Sequence, residues 1–207
     1  MVSWQLEDPA EQRENAKYTF AFPSPMELAK VAPGVTVKLI FQLKNPGKGA
    51  PEAERMWVDV VSRNEDGTLT GTLDNDPRYI DDLKHKDVIT FELKHIIATN
   101  LPVQPDEDSL VEKYFPRCFV TRRVLYDEQK VTSLYREEPD QPNDSGWRIL
   151  AGDETEDYMD DTENVFYVSL GAVLNRDDRF VHLLDLPVGS VFEFDEASGK
   201  FVIGKDD

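Results

Sequence analysis

Hydrophobic and polar positions alternate most cleanly between Val35 and Lys44. Val35, Val37, Leu39, Phe41 and Leu43 share one face; Thr36, Lys38, Gln42 and Lys44 share the other, and Ile40 is the exception. A period of two predicts a half-buried β-strand. Upstream, Ser24-Pro25 opens a helix through Met26, Leu28, Ala29 and Val31, with Ser24 as N-cap and Pro25 at the first helical position. Pro33-Gly34 ends it, and Asn45-Pro46-Gly47 breaks the strand that follows. Met56 to Ser62 is apolar on both faces around Trp57, apart from Asp59, and reads as a central strand. Asn64-Glu65-Asp66-Gly67 is a hairpin turn, and Leu69, Gly71 and Leu73 alternate with threonines on the return. Asp74-Asn75-Asp76-Pro77 turns the chain again, a structural role, and Gly71 lets a neighbouring backbone or Trp57 pack closely. Asp87 to His95 is a last strand with Ile89, Phe91 and Leu93 inward, Tyr18 to Phe22 is an edge strand, and residues 1–15 form a polar arm or short helix. Short turns make these strands antiparallel, and a small curled sheet or barrel closes them.

The second half has a less regular pattern. Cys118 to Tyr126 predicts a strand partnered by Val131 to Tyr135. Pro139, Pro142, Asn143, Asp144, Ser145 and Gly146 form a turn-rich loop, and Trp147 to Leu150 a second short strand that Gly152 stops. Asn164 to Leu170 is a well-buried strand. Ser169 caps a helix with Val173, Leu174, Phe180, Val181 and Leu184 on one face. Asn175 to Asp178 can split that helix, with Asp177 capping its second part. Val191 to Phe194 and Phe201 to Ile203 close the chain as a hairpin. The fold class expected is α+β: two small domains, each a mostly antiparallel sheet with one or two short helices. The boundaries are an arm over 1–15, a domain over 16–97, a linker over 98–114 and a second domain over 115–207.

Composition sharpens this picture. Formal net charge is −18, and it is uneven: residues 1–97 carry 16 acidic and 12 basic side chains, residues 98–207 carry 25 and 11. A surface this acidic repels nucleic acid and anionic membranes and favours a basic protein partner. Solubility alone also accounts for negative charge. The single cysteine, Cys118, excludes an intramolecular disulfide, and no Cys/His spacing suggests zinc. No apolar run approaches the roughly 18 residues of a membrane span, and the polar start carries no secretory signal, so a cytoplasmic protein is expected.

The densest local chemistry lies between Leu134 and Asn164. Asp153 to Glu163 holds seven carboxylates and no basic residue, a run that favours solvent. Tyr135, Arg136, Glu137, Asp144, Ser145, Trp147, Asp153 and Glu154 are the candidate binding surface. Structurally, Trp147 is a core anchor, Gly146 supplies a positive φ before it, and Arg136 pairs with Asp153 or Glu154. Functionally, Arg136, Trp147 and the acidic residues line one recognition surface. No catalytic residue, metal site or cofactor is assigned. The histidines His85, His95 and His182 are scattered, Ser145 has no neighbouring histidine, and the acidic run lacks the spacing and central glycine of an EF-hand loop.

Several of these residues also carry a resemblance. Phe119-Val120-Thr121, Tyr135-Arg136-Glu137, Asp144-Ser145-Gly146-Trp147, Gly152-Asp153-Glu154 and Leu183-Leu184 through Pro187-Gly189-Ser190 to Phe192 resemble a bacterial domain family of unknown function grouped with the immunity-protein-thirty-three-like domains of polymorphic toxin systems. Val37 to Phe41, Met56-Trp57-Val58, Gly71 to Pro77 and Asp87-Val88 with Phe91 resemble a second bacterial family, the YegJ-like domains. Neither family brings catalytic residues to carry over. The resemblance implies an immunity-type protein that binds and neutralises a toxin. The function expected is a non-catalytic protein-binding module. The alternative is a hydrolase-like or small-ligand-binding protein that uses Tyr135, Arg136 and Glu137 with Asp153 and Glu154 as acid, base and anion clamp.

Overall fold

The computed structural model describes residues 2–102 and 109–204. The chain divides into two compact units. The first comprises Met1–Glu14 and Phe22–Asp106, the second Asn15–Ala21 and Glu107–Asp207. Residues 103–108 of the predicted linker, with its acidic run, lie outside the described residues.

In the first unit, β1 (Trp4–Leu6), α1 (Ala10–Asn15) and α2 (Pro25–Ala29) precede a meander of β2 (Thr36–Leu43), β3 (Ala53–Arg63), β4 (Leu69–Leu73) and β5 (Val88–Phe91). A 3-10 turn, Leu93–His95, then leads into β6 (Ile96–Thr99), which pairs with β2. All the pairings are antiparallel: the sheet runs β1-β2-β3-β4-β5, and β6 returns to pair with β2, the first strand of the meander. Ser24 caps α2 through a reciprocal box: its hydroxyl accepts from the Glu27 N–H, and the Glu27 carboxylate accepts from the Ser24 N–H, both at 3.2 Å. Alternation places Val37, Leu39, Phe41, Met56, Val58, Val60, Leu69, Leu73, Ile89 and Phe91 in one core.

Two expectations change in this unit, and one at Gly71 is met by the first of its two alternatives. β3 is interior in the sheet order, yet only one of its faces is core; Trp57 points outward under the Lys38 ammonium, 4.5 Å from the ring centroid. At Gly71 the close neighbour is a backbone, the Asp59 carbonyl, with the Val58 side chain beside it. The last predicted strand stops at Phe91, and fully buried Ile96 and Ile97 open β6.

The second unit is built on a six-stranded sheet. Its elements are α3 (Leu110–Lys113), β7 (Arg117–Thr121), α4 (Arg122–Leu125), β8 (Ser133–Arg136), β9 (Asp144–Leu150), α5 (Glu156–Met159), β10 (Val165–Ser169), α6 (Leu170–Leu174), β11 (Val191–Asp195) and β12 (Lys200–Ile203). The strand order is β10-β7-β9-β8-β11-β12, antiparallel except for the parallel pair β7 and β9. The predicted strand over 118–126 ends at Thr121, because a helical turn buries both Val124 and Leu125, which a strand would send to opposite faces. β8 pairs with β9 and β11, so β7 is not its partner. β10 is an edge strand and only half-buried. The late helix is cut, as its polar interruption allows. Asp177 accepts from the Val131 N–H at 3.1 Å and holds Arg179, and a 3-10 turn, Val181–Leu183, follows.

Tyr18 to Phe22 forms no strand. Thr19 and Phe20 both bond back to the Ala16 carbonyl, and buried Tyr18 donates to Asp178 at 2.9 Å. Its carbonyl lies so near Gly171 in α6 that a Cβ there has no room. The core gathers Cys118, Val120, Leu134, Trp147, Ile149, Val173, Leu174 and Phe180 on one face of the sheet. Among the described residues, no helix is long and apolar enough to cross a membrane.

Candidate functional site

Two adjacent residues of β9 divide the candidate residues between the faces of the second sheet. Arg136 lies opposite Trp147, and Tyr135 lies opposite Arg148. Because side chains alternate along a strand, the first pair faces the covered side and the second the open side. Gly146 sets this register. Its φ is +81°, and a Cβ there would run into the Glu137 carbonyl, so only glycine lets the two strands meet there.

The covered pair is structural in its contacts. Trp147 is fully buried, and its indole N–H donates to the Leu184 carbonyl at 3.2 Å. The Arg136 guanidinium sits 5.8 Å from the centroid of that ring and donates to the carbonyls of Ser145, at 2.9 Å, and Leu186. Arg136 therefore binds backbone oxygens and does not pair with Asp153 or Glu154. The Ser145 hydroxyl donates to the Arg117 carbonyl at 2.7 Å and accepts from the Trp147 N–H.

On the open side, registers place Val191, Tyr135, Arg148, Phe119 and Tyr167 in one row across β11, β8, β9, β7 and β10. The rings of Phe119 and Tyr167 lie 4.9 Å apart, and the Arg148 guanidinium stands 4.7 Å from the Phe119 centroid. Arg148 has five N–H donors, and the structure gives each a partner. Nε bonds Glu137 at 3.0 Å; Nη1 bonds Asp144 and the Trp147 carbonyl; Nη2 bonds Asp140 at 2.9 Å and Asp144 at 3.1 Å. Asp144 also accepts from the N–H groups of Asp140 and Gly146. Burial alone would raise the Asp144 carboxyl, but these hydrogen bonds outweigh it and hold the group below the usual carboxylate range. Burial and the Glu137 charge push the Tyr135 phenol up. Beside this cluster lies a depression of about 250 Å³, lined by Phe119, Tyr135, Asp140, Arg148, Leu150 and Met159 among others.

The remaining candidates sit apart. Asp153 pairs with Arg123, whose guanidinium also covers the Tyr158 ring. Glu154 accepts from the Thr121 hydroxyl at 2.6 Å and from the N–H groups of Ala151 and Gly152. Glu137 and Asp153 thus belong to different arginines and do not converge as acid and base. Glu156, Asp157, Asp160 and Glu163 remain exposed. Among the described residues, no three His, Cys, Asp or Glu side chains are grouped to hold a metal. Arg148, Phe119 and Tyr167 were missing from the candidates. The signal that finds them is parity: if Trp147 is the core anchor, Arg148 must face the other way.

No curated protein and no solved structure matches the chain. Two family models match it, each along one half. Residues 10–99 match an uncharacterized protein conserved in bacteria (DUF2314), and residues 118–203, which hold the whole Arg148 row, match the Immunity protein Imm33 domain.

Proposed function

We propose that the second unit is a protein-recognition module of immunity type, which binds a basic toxin in the cytoplasm through the open face of its sheet and has no catalysis of its own. The observation that carries this reading is the row Tyr135, Arg148, Phe119 and Tyr167 on the sheet face opposite the hydrophobic core. Aromatic and arginine side chains held rigid at the centre of a patch are the composition of binding hot spots. The exposed carboxylates Glu156, Asp157, Asp160 and Glu163 supply steering charge, which acts on association rate more than on affinity. The match of residues 118–203 to an immunity-protein domain supports a protein partner.

The test is binding kinetics against a basic protein retained from the native lysate. Tyr135→Ala with Tyr167→Ala is expected to speed dissociation by about tenfold or more, the effect of losing about 1.4 kcal/mol or more at a hot spot. Reversing Glu156, Asp157 and Asp160 to lysine is expected to slow association and to flatten its salt dependence. Unchanged kinetics in both variants would overturn the reading.

A further inference from the structure

We propose that the depression beside Arg148 is a socket for one lysine or arginine side chain of the partner. This deepens the recognition reading above and rests on it. Three observations carry the proposal.

The walls suit an aliphatic stem. Phe119, Leu150, Met159, Val165 and the Tyr135 ring line the space. Its volume, about 250 Å³, lies below the roughly 300 Å³ at which pockets for whole small-molecule ligands begin. A single long side chain fits that scale.

The polar end rejects anions. An arginine in a groove usually marks a carboxylate or phosphate site. Here all five Arg148 N–H groups are engaged, so none is left for an anionic guest. The buried Asp144 carboxylate neutralises Arg148 and accepts from both of its terminal nitrogens.

The residual charge is negative and accessible. With Asp144 matched to Arg148, Glu137 and Asp140 add two further negative charges, and their side chains are 53% and 70% exposed. Each contacts Arg148 through one oxygen, Glu137 Oε2 and Asp140 Oδ2. The other oxygen of each has no donor among the described residues and is free to accept from an incoming ammonium or guanidinium. Asp140 lines the depression itself, and Glu137 adds its charge through Arg148, which also lines it. Apolar walls with a carboxylate at the edge are complementary to an amphipathic cationic side chain, which buries its stem and keeps its charge at the edge.

The test is a titration of the full ¹⁵N-labelled chain with Nα-acetyl-arginine methylamide and Nα-acetyl-lysine methylamide, with the norleucine analogue as the uncharged control. The cationic probes are expected to shift the amides of Phe119, Arg148, Leu150 and Met159. In Glu137→Gln/Asp140→Asn their affinity is expected to fall about tenfold, as the loss of two exposed charge contacts predicts. Asp144 is left intact, so an unchanged spectrum elsewhere shows that the variant is folded. No shift at those amides would overturn the socket, as would equal binding of norleucine or shifts confined to Glu156–Asp161. The probes need no partner. A failed titration with the partner-binding variants behaving as expected removes the socket alone; failure of both removes the recognition face.

Discussion

The two faces of the second sheet use the same kinds of side chain in opposite ways. On the covered face, the hydrogen bonds of Arg136 and Trp147 end on backbone carbonyls, those of Ser145, Leu186 and Leu184. On the open face, Arg148 and Phe119 stack in the same manner, yet the arginine ends on carboxylates that still have free oxygens. An arginine over an aromatic ring is therefore no sign of function by itself. What distinguishes the two is where the hydrogen bonds stop.

The largest expected effect that breaks this comparison is on the covered face. Trp147→Ala removes a fully buried indole and should lower stability by about 4 kcal/mol, read as a fall in the urea midpoint. Asp144→Ala comes next. It removes the buried carboxylate of the cluster and leaves the buried Arg148 guanidinium only the exposed Glu137 and Asp140 as ionic partners. Removing the buried partner of such a pair costs about 3 kcal/mol. Gly146→Ala meets both a φ of +81° and the Glu137 carbonyl, with an expected loss of about 2 kcal/mol. Tyr167→Ala, on the half-exposed edge strand, should cost less than about 1 kcal/mol and act on partner binding instead.

Acid sharpens the same contrast. The Asp144 carboxyl is held below its unfolded value of about 3.9. Its contribution is complete above that value and is lost as pH falls through the lower, folded one. Asp177, in contact with Arg179, is shifted the same way: burial raises it and the hydrogen bonds more than offset that. Stability should therefore fall in acid from about pH 4 downward, and less steeply in Asp144→Asn than in the wild type.

Local chemistry was legible where it acts over a few residues. The Ser24 cap, the β2 alternation, the Gly67 hairpin, the Gly146 turn and the break at Asp177, where Asp177 accepts from the Arg179 N–H, all follow from neighbours in sequence. Long-range pairing was not. Nothing near β7 says that β9 runs parallel to it, or that Tyr18 lies against Gly171. Short apolar runs were ambiguous for the same reason. Val124-Leu125 fits a strand or a helical turn, and only the side on which both are buried decides. Arg136 is a candidate from its own neighbours in sequence, whereas Arg148 is not, because its role depends on the strands beside it. The cross-strand register, set at Gly146, assigns them their faces.

The central claim is that recognition belongs to the open face. It is tested most directly by photo-crosslinking in living cells, with benzoylphenylalanine placed one site at a time at Tyr135, Tyr167 and Leu186. Leu186 is exposed and lies beside the carbonyl contact of Arg136. The account predicts that Tyr135 and Tyr167 crosslink to the same basic protein and that Leu186 does not. Adducts from Leu186 alone, or none from either tyrosine position while the protein still binds its partner, would contradict it.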